Sequence, residues 1–280
     1  MATRREIYNL LYSVASEHYE AGEARQIAEM ILLAMGNISR NEYIIEPNKE
    51  ITIDNLDDII LELRSWRPVQ YIIGYADFRD MELSVKEGAL IPRPETEELV
   101  EWIASETRIG AHILDIGTGT GAIAIALNRE VDNSQVWAMD ISLDALAIAR
   151  ENGRRYAPNV RFVEGDALAD FDTLFECTFD VVVSNPPYIP QSDIEQMRKN
   201  VLDFEPSTAL FVPDNDPLLF YRSIARTAKK ILNRGGKLYF EIYELLSAEM
   251  IDMLHHEGYS DIQLREDFRA KPRMICATLR

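Results

Sequence analysis

The apolar run Asp180-Val181-Val182-Val183 ends in Ser184-Asn185-Pro186-Pro187-Tyr188. One proline would stop a strand, because it lacks an N–H and locks φ; an amide, two prolines and a tyrosine ask for more. The residue before a proline is held extended, so Asn185 and Pro186 are both stiff. Pro186 and Pro187 present carbonyls without competing donors. The Asn185 side-chain oxygen and the Pro186 carbonyl are therefore expected to accept the two hydrogens of one planar –NH2 group. Tyr188 can pack against the flat group that carries it. Such a site suits an amide or an amino-substituted base with its nitrogen aimed at a methyl group. An amide nitrogen is a weak nucleophile. Two acceptors on its hydrogens raise its electron density as positive charge develops.

The source of that methyl is suggested upstream. Residues 112–127, His-Ile-Leu-Asp-Ile-Gly-Thr-Gly-Thr-Gly-Ala-Ile-Ala-Ile-Ala-Leu, read as strand, glycine turn and helix. Gly117, Gly119 and Gly121, with Thr118 and Thr120 between them, allow a sharp turn and close backbone approach to a ligand. Gly117, Gly119 and Ala122 also satisfy the loose dinucleotide pattern, but Asp115 at the strand tip would repel a pyrophosphate. It favours the ammonium and sulfonium of S-adenosylmethionine instead. Asp140 ends the next strand pattern, where ligands of open sheets sit, and is expected to accept from both ribose hydroxyls. Asp166 is placed to accept from the adenine amino group, with a turn role as the alternative.

These residues must be carried by elements that the rest of the chain supplies. The 280 residues are 47% hydrophobic and 27% charged, a globular profile long enough for two domains. The net charge of −18, from 29 basic and 47 acidic residues, disfavours nucleic acid as a direct partner. Cys177 and Cys276 lack ligand spacing and read as reduced, buried thiols. The histidines, His18, His112, His255 and His256, form no chelating set, so no metal site is expected. The N-terminal stretch has no signal-peptide core and no run approaches a membrane span, so the expected location is the cytoplasm.

Residues 1–74 read as a small helical bundle. Its stripes are Ile7, Leu10, Leu11 and Val14, then Ala24, Ile27, Ala28, Ile31 and Leu32, then Leu56, Ile59, Ile60 and Leu63. Asp54 is the expected cap of the third stripe, Gly36 suits the end of the second, and Pro68 opens a short helix ending near Gly74. Residues 75–92 read as a β-hairpin linker with its turn at Glu87-Gly88. From residue 93 onward strand and helix alternate. Strands are expected at 112–115, 135–139, 160–163, 179–184, 237–241, 262–264 and 274–278. This is an α/β domain with an open, mostly parallel seven-stranded sheet covered on both faces. The last two strands, with no room for a crossover helix, should be antiparallel.

The glycine turn and Asn185-Pro186-Pro187-Tyr188 together resemble the amino-group methyltransferases with a Rossmann-like fold. Arg67 to Gly74 ("RPVQYIIG"), Leu90 to Glu101 ("LIPRPETEELVE") and Phe204 to Val212 ("FEPSTALFV") resemble, more narrowly, the peptide chain release factor glutamine methyltransferases, the HemK/PrmC family. The resemblance spans essentially the whole chain. It implies an S-adenosylmethionine-dependent enzyme methylating the glutamine amide of a Gly-Gly-Gln motif in release factors. It puts Gly117, Gly119, Gly121 and Asp140 on the cofactor, and Asn185 through Tyr188 on the substrate amide, with Asn185 also touching the cofactor. Pro92, Arg93 and Pro94 would lie near the reaction, and Arg93 would bind substrate. The helical domain would dock the release factor. Two departures stand out: Ala167 where many members carry an aromatic after the acid, and Glu241-Ile242-Tyr243 where many carry Glu-x-Gly. Ribosomal-protein glutamine or a nucleic-acid amino group (adenine N6) is the alternative substrate.

Overall fold

The computed structural model describes residues 2–280. They divide into two compact units, one running to Tyr75 and including Met197–Phe204, the other comprising Ala76–Gln196 and Glu205–Arg280.

In the first unit β1 (Ala2–Thr3) leads into α1 (Arg4–Ala15), α2 (Ala21–Gly36) and α3 (Arg40–Ile45). β2 (Glu50–Ile51) then pairs antiparallel with β1, and α4 (Leu56–Arg64) and α5 (Val69–Ile73) follow. α1 starts where Thr3 and Glu6 satisfy each other's backbone donors in a capping box. Ile7, Leu11 and Val14 pack with Ala24, Ile27, Ala28, Ile31, Leu32, Ile59 and Leu63 in one core, while Leu10 is 43% exposed. The cap of α4 is Asn55, left-handed at φ 56, not the expected Asp54. α5 follows Pro68 and stops at Gly74, whose φ of 86 only glycine adopts cheaply. Residues 197–204 join this unit through Arg198, whose Nη1 reaches both Glu23 oxygens at 2.8 Å, and Phe204, whose ring lies under the Arg67 guanidinium at 5.7 Å. Reading residues 93–280 as one uninterrupted domain missed this excursion, because a short segment without periodicity carries no local sign of its partners.

The second unit opens with a hairpin, β3 (Tyr75–Phe78) and β4 (Met81–Ser84). Its turn is Arg79-Asp80, at φ 46 and 58, not Glu87-Gly88. Both central residues are left-handed, which Asn-Gly signals and Arg-Asp does not. α6 (Pro94–Glu106), β5 (His112–Ile116), α7 (Ala122–Glu130), β6 (Gln135–Asp140), α8 (Leu143–Tyr156), β7 (Arg161–Glu164) and β8 (Phe179–Ser184) follow. β9 (Ile189–Pro190) precedes α9 (Lys199–Leu202), which belongs to the first unit; then come α10 (Ser207–Leu210), β10 (Phe211–Val212), α11 (Leu219–Ile231), β11 (Leu232–Glu241), α12 (Ser247–His256), β12 (Tyr259–Glu266) and β13 (Pro272–Leu279).

The main sheet has the order β12-β13-β11-β8-β5-β6-β7. β7, β6, β5, β8 and β11 are parallel, and β13 inserts antiparallel between β11 and β12. Neighbouring side chains along a strand leave opposite faces. Ile113, Ala138, Val181, Val183 and Tyr239 join the core under α6 and α7. Leu114, Trp137, Val182, Leu238 and Phe240 join the core under α11 and α12. Both faces are therefore buried, which is why these strands read as continuous apolar runs. The chain runs β5, β6, β7 to one side and returns to place β8 on the other side of β5. The sheet order reverses there, and the carboxyl ends of β5 and β8 frame a crevice.

Candidate active site

Register sets the site. Ile116 pairs with Met139 on β6 and with Ser184 on β8, and Ser184 pairs with Phe240 on β11. The next residue on each strand is Asp140, Gly117, Asn185 and Glu241. These four line the carboxyl edge side by side, about 4.8 Å per strand. The Ser184 hydroxyl donates to the Ile116 carbonyl at 2.7 Å and pins the two central strands where they end.

The glycine turn is fastened from β6. Gly117 and Thr118 N–H groups donate to the Met139 carbonyl at 2.9 and 3.0 Å. The Gly119 N–H donates to Asp140 Oδ2 at 2.8 Å, and the Ser142 N–H to Oδ1 at 2.9 Å. Gly117 and Gly119 sit at φ 72 and 56, and a Cβ on either would point into open space. The turn therefore leaves its backbone bare to a ligand. At Gly121 the reason differs: a Cβ there would stand 2.9 Å from Ile125 and 3.3 Å from Ala149, so glycine lets α7 and α8 close together. Thr118 and Thr120 have buried side chains, so at these positions the turn offers a ligand main chain.

Asp115 lies beneath the turn with no exposed surface. Its Oδ2 accepts from the Thr118 hydroxyl at 2.6 Å, and its Oδ1 has no hydrogen-bond partner. Burial pushes this carboxyl up to about 7, against the pull of the Thr118 hydroxyl. Asp115, expected to favour a sulfonium and an ammonium, therefore presents no exposed atom for direct contact with a ligand. Asp140 is also raised by burial, with the Ser142 and Gly119 amides pulling the other way. Ser142, not Asp140, caps α8, its Oγ accepting from the Ala145 N–H at 3.1 Å.

Gly165 N–H bonds the Asp140 carbonyl at 3.0 Å and brings residues 166–168 beside Asp140. There Asp166 Oδ1 accepts from the Leu168 N–H at 2.8 Å, the turn role kept open above. The Ala167 carbonyl is taken by the Ser223 hydroxyl at 2.7 Å. Sequence reasoning missed the apolar residues around the two acids. Ile141 and Leu143 are 61% and 59% exposed, and Leu168 43%. Their signal was a hydrophobic residue within three positions after each acid. A bare glycine turn, an acid with spare lone pairs and exposed aliphatic flanks fit the adenosyl and amino-acid ends of S-adenosylmethionine.

Across the crevice, Pro186 is buried and Asn185, Pro187 and Tyr188 are partly exposed. The Tyr188 ring lies parallel to Tyr243, centroids 6.1 Å apart, and its hydroxyl donates to Glu241 Oε1 at 3.3 Å. Burial and the neighbouring Glu241 charge raise the Tyr188 phenol far above its ordinary range. Tyr243, the departure from Glu-x-Gly, is therefore a stacking partner, and its own hydroxyl donates to Asp193 at 2.8 Å. Pro94 opens α6, the first helical position where its missing N–H costs nothing. Arg93 before it is not a free guanidinium: its Nη2 contacts both oxygens of buried Glu205 at 2.7 and 2.8 Å, and the Ile91 N–H donates to the same carboxylate at 3.3 Å. Among the described residues no group of three or more His, Cys, Asp or Glu could hold a metal ion.

Comparison with known proteins bears on the same arrangement. Residues 113–204 match the family model described as a methyltransferase domain, and residues 10–74 the PrmC N-terminal domain. The chain is 45% identical over 222 residues to the release factor glutamine methyltransferase of Bacteroides thetaiotaomicron, covering 79% of this chain and 80% of that one. It is 39% identical over 272 residues to the Flavobacterium psychrophilum protein of the same name, covering 94% of each. A methyltransferase from Pyrococcus furiosus shares the fold at TM-score 0.52 and 21% identity, over 71% of this chain and 89% of that one. The bare glycine turn after β5 and the Asn-Pro-Pro-Tyr stretch after β8 thus meet in a chain that belongs to the release factor glutamine methyltransferase family, S-adenosylmethionine-dependent enzymes acting on protein glutamine.

Proposed function

We propose that this chain methylates the side-chain amide nitrogen of the glutamine in the Gly-Gly-Gln motif of peptide chain release factors, working in the cytoplasm. The observation that carries the reading is that Asn185-Pro186-Pro187-Tyr188 directly follows β8, which pairs with β5 where the glycine turn begins. Bound S-adenosylmethionine supplies a methyl group already activated by its sulfonium. Asp140 and the main chain of residues 117–121 hold the donor, Ile141 and Leu168 flank its base, and Asp166 shapes the turn beside it.

Asn185 Oδ1 and the Pro186 carbonyl accept the two amide hydrogens of the incoming glutamine. Tyr188 packs on the plane of the amide. As nitrogen bonds to the methyl carbon and the carbon–sulfur bond breaks, the nitrogen becomes positive. The two acceptors stabilise that charge, the carbon–sulfur electron pair stays on sulfur as a neutral thioether, and the nitrogen then loses one proton to water. Holding the nitrogen in line supplies much of the remaining acceleration. No covalent nucleophile is required. Arg93, through Glu205, stiffens the segment that follows Pro92 beside this cradle. The helical unit docks the release factor, a role supported by the PrmC N-terminal match. The net charge of −18 speaks against a nucleic-acid substrate.

The test offers labelled S-adenosylmethionine with release factor, ribosomal protein, DNA and RNA in separate reactions. Label on release factor, lost when the Gly-Gly-Gln glutamine is replaced, is the expected result. Label on ribosomal protein or on DNA alone would overturn the substrate assignment.

A further inference from the structure

Glu241 ends β11 with 1% of its surface exposed. Burying a carboxylate is costly unless hydrogen bonds and nearby charge compensate it. Two hydroxyls meet it. Thr96, on the first turn of α6, donates from Oγ1 to Oε2 at 2.6 Å, and Tyr188 donates to Oε1 at 3.3 Å. Thr96 Oγ1 is in turn 3.4 Å from Asn185 Nδ2. Thr96 belongs to the Ile-Pro-Arg-Pro-Glu-Thr-Glu stretch, and the reading of Asn185 above assigns no role to it or to Glu241.

We propose that Thr96 and Glu241 are positioning residues that fix the polarity of the Asn185 carboxamide, keeping its oxygen toward the nitrogen to be methylated. This rests on the assignment of Asn185 made above. A hydroxyl carries one proton, and an ionised carboxylate only accepts. The Thr96 proton is committed to Glu241, so toward Asn185 Thr96 can only accept. Only the NH2 end of the carboxamide can satisfy it, and Oδ1 must then face away from Thr96. The two ends of an asparagine amide are nearly equal in shape, so packing alone does not choose between them. A flipped Asn185 would aim donor hydrogens at the substrate's own N–H groups. The 3.4 Å separation is long, as such contacts are before substrate tightens them.

A glutamine at position 241 would have one accepting and one donating end, and would force either Thr96 or Tyr188 to turn its proton around. Only a carboxylate takes both protons at once. Burial raises the Glu241 carboxyl above its ordinary value, while the Thr96 hydroxyl, the Arg273 charge and the Tyr188 hydroxyl pull it back toward the ionised form, and the Tyr221 hydroxyl holds the Glu241 carbonyl at 3.1 Å.

The experiment uses the full-length protein, single-turnover methylation of a release factor, calorimetry with S-adenosylmethionine and a thermal melt. Thr96→Val should slow turnover by about thirtyfold or more while donor affinity stays within about threefold. Thr96→Ser keeps the hydroxyl and should recover the rate to within about threefold of wild type. In an Asn185→Ala background, Thr96→Val should add less than about twofold, because its effect passes through Asn185. Where Thr96→Val does not fold, Thr96→Ala takes its place and should slow turnover as much, with donor affinity kept within about threefold. The relay is overturned if Thr96→Ser is as slow as Thr96→Val, or if Thr96→Val costs as much without Asn185 as with it. In each of those cases a crippled Asn185→Ala leaves the substrate reading standing. If Asn185→Ala itself runs near the wild-type rate, the assignment of Asn185 falls and the relay falls with it.

Discussion

Asp140 Oδ2 accepts the Gly119 N–H at 2.8 Å, so the acid at the tip of β6 fastens the turn that leaves β5. The same carboxylate holds the Ser142 N–H at the entry to α8. Replacing Asp140 by alanine therefore removes an acceptor for the donor and also loosens the backbone that would cradle it. Each bond to an ionised group is worth roughly 1.5–3 kcal/mol. Asp140→Ala should weaken S-adenosylmethionine by about a hundredfold or more and lower the Tm of the free protein. Calorimetry showing unchanged affinity would remove Asp140 from the donor site.

Asp115 gives a pH dependence with a definite sign. Its carboxyl stands at about 7 in the folded chain against an ordinary value of 3.8. The folded state then binds the extra proton between these values. Its contribution to stability is complete at the acid end of that window and is lost as pH rises through about 7. Asp115→Asn should flatten the fall in Tm between about pH 5 and 6.5, about a proton's worth of slope that fades above about 7. A cationic donor reverses the preference, so S-adenosylmethionine should raise Tm more at pH 8 than at pH 6 in wild type, and about equally in Asp115→Asn. Parallel slopes for the two proteins without donor would show that the carboxyl does not titrate there.

The Arg93–Glu205 pair joins a side chain that is 33% exposed to one that is 1% exposed. Arg93→Ala strands the Glu205 carboxylate and should cost on the order of 2 kcal/mol or more of stability. Arg93→Lys should restore part of the Tm, since a single terminal nitrogen already makes both contacts. Tm and kcat should recover together. A rise in KM at unchanged Tm would make Arg93 a direct substrate contact instead.

Removing residues 1–74 tests the docking role of the helical unit. It also deletes Glu23 and Arg67, the partners of Arg198 and Phe204. Methylation of intact release factor should fall at least about tenfold more than methylation of a short Gly-Gly-Gln peptide, because the lost contacts are remote from the reacting amide. Equal losses on both substrates would mean that the unit serves to hold residues 197–204 and does not recruit the partner. Arg198→Ala, an exposed pair lost by itself, should change stability by less than about 1 kcal/mol.

What the sequence determined alone is what local spacing can carry. Periodicity located the apolar stripes of Ile7, Leu11 and Val14 and of Ala24 to Leu32, and continuous apolar runs located β5, β6, β8 and β11. Glycine spacing marked the turn at 117–121, and two adjacent prolines marked Asn185 as stiff. Each of these signals is written within about seven residues, the reach of a helix face or a strand. The β3–β4 turn was misplaced because Arg79-Asp80 adopts left-handed backbone without the residues that usually announce it. Tertiary structure decided everything that depends on which strand lies beside which. β5 between β6 and β8 puts Asp140, Gly117 and Asn185 on one edge. α6 brings Thr96 to Glu241, 145 residues further along. Glu205 closes on Arg93 across 112 residues, and Arg198 on Glu23 across 175. Hydrogen bonds at such separations leave no local pattern, because either partner by itself is an ordinary polar residue until the fold removes water from around the pair.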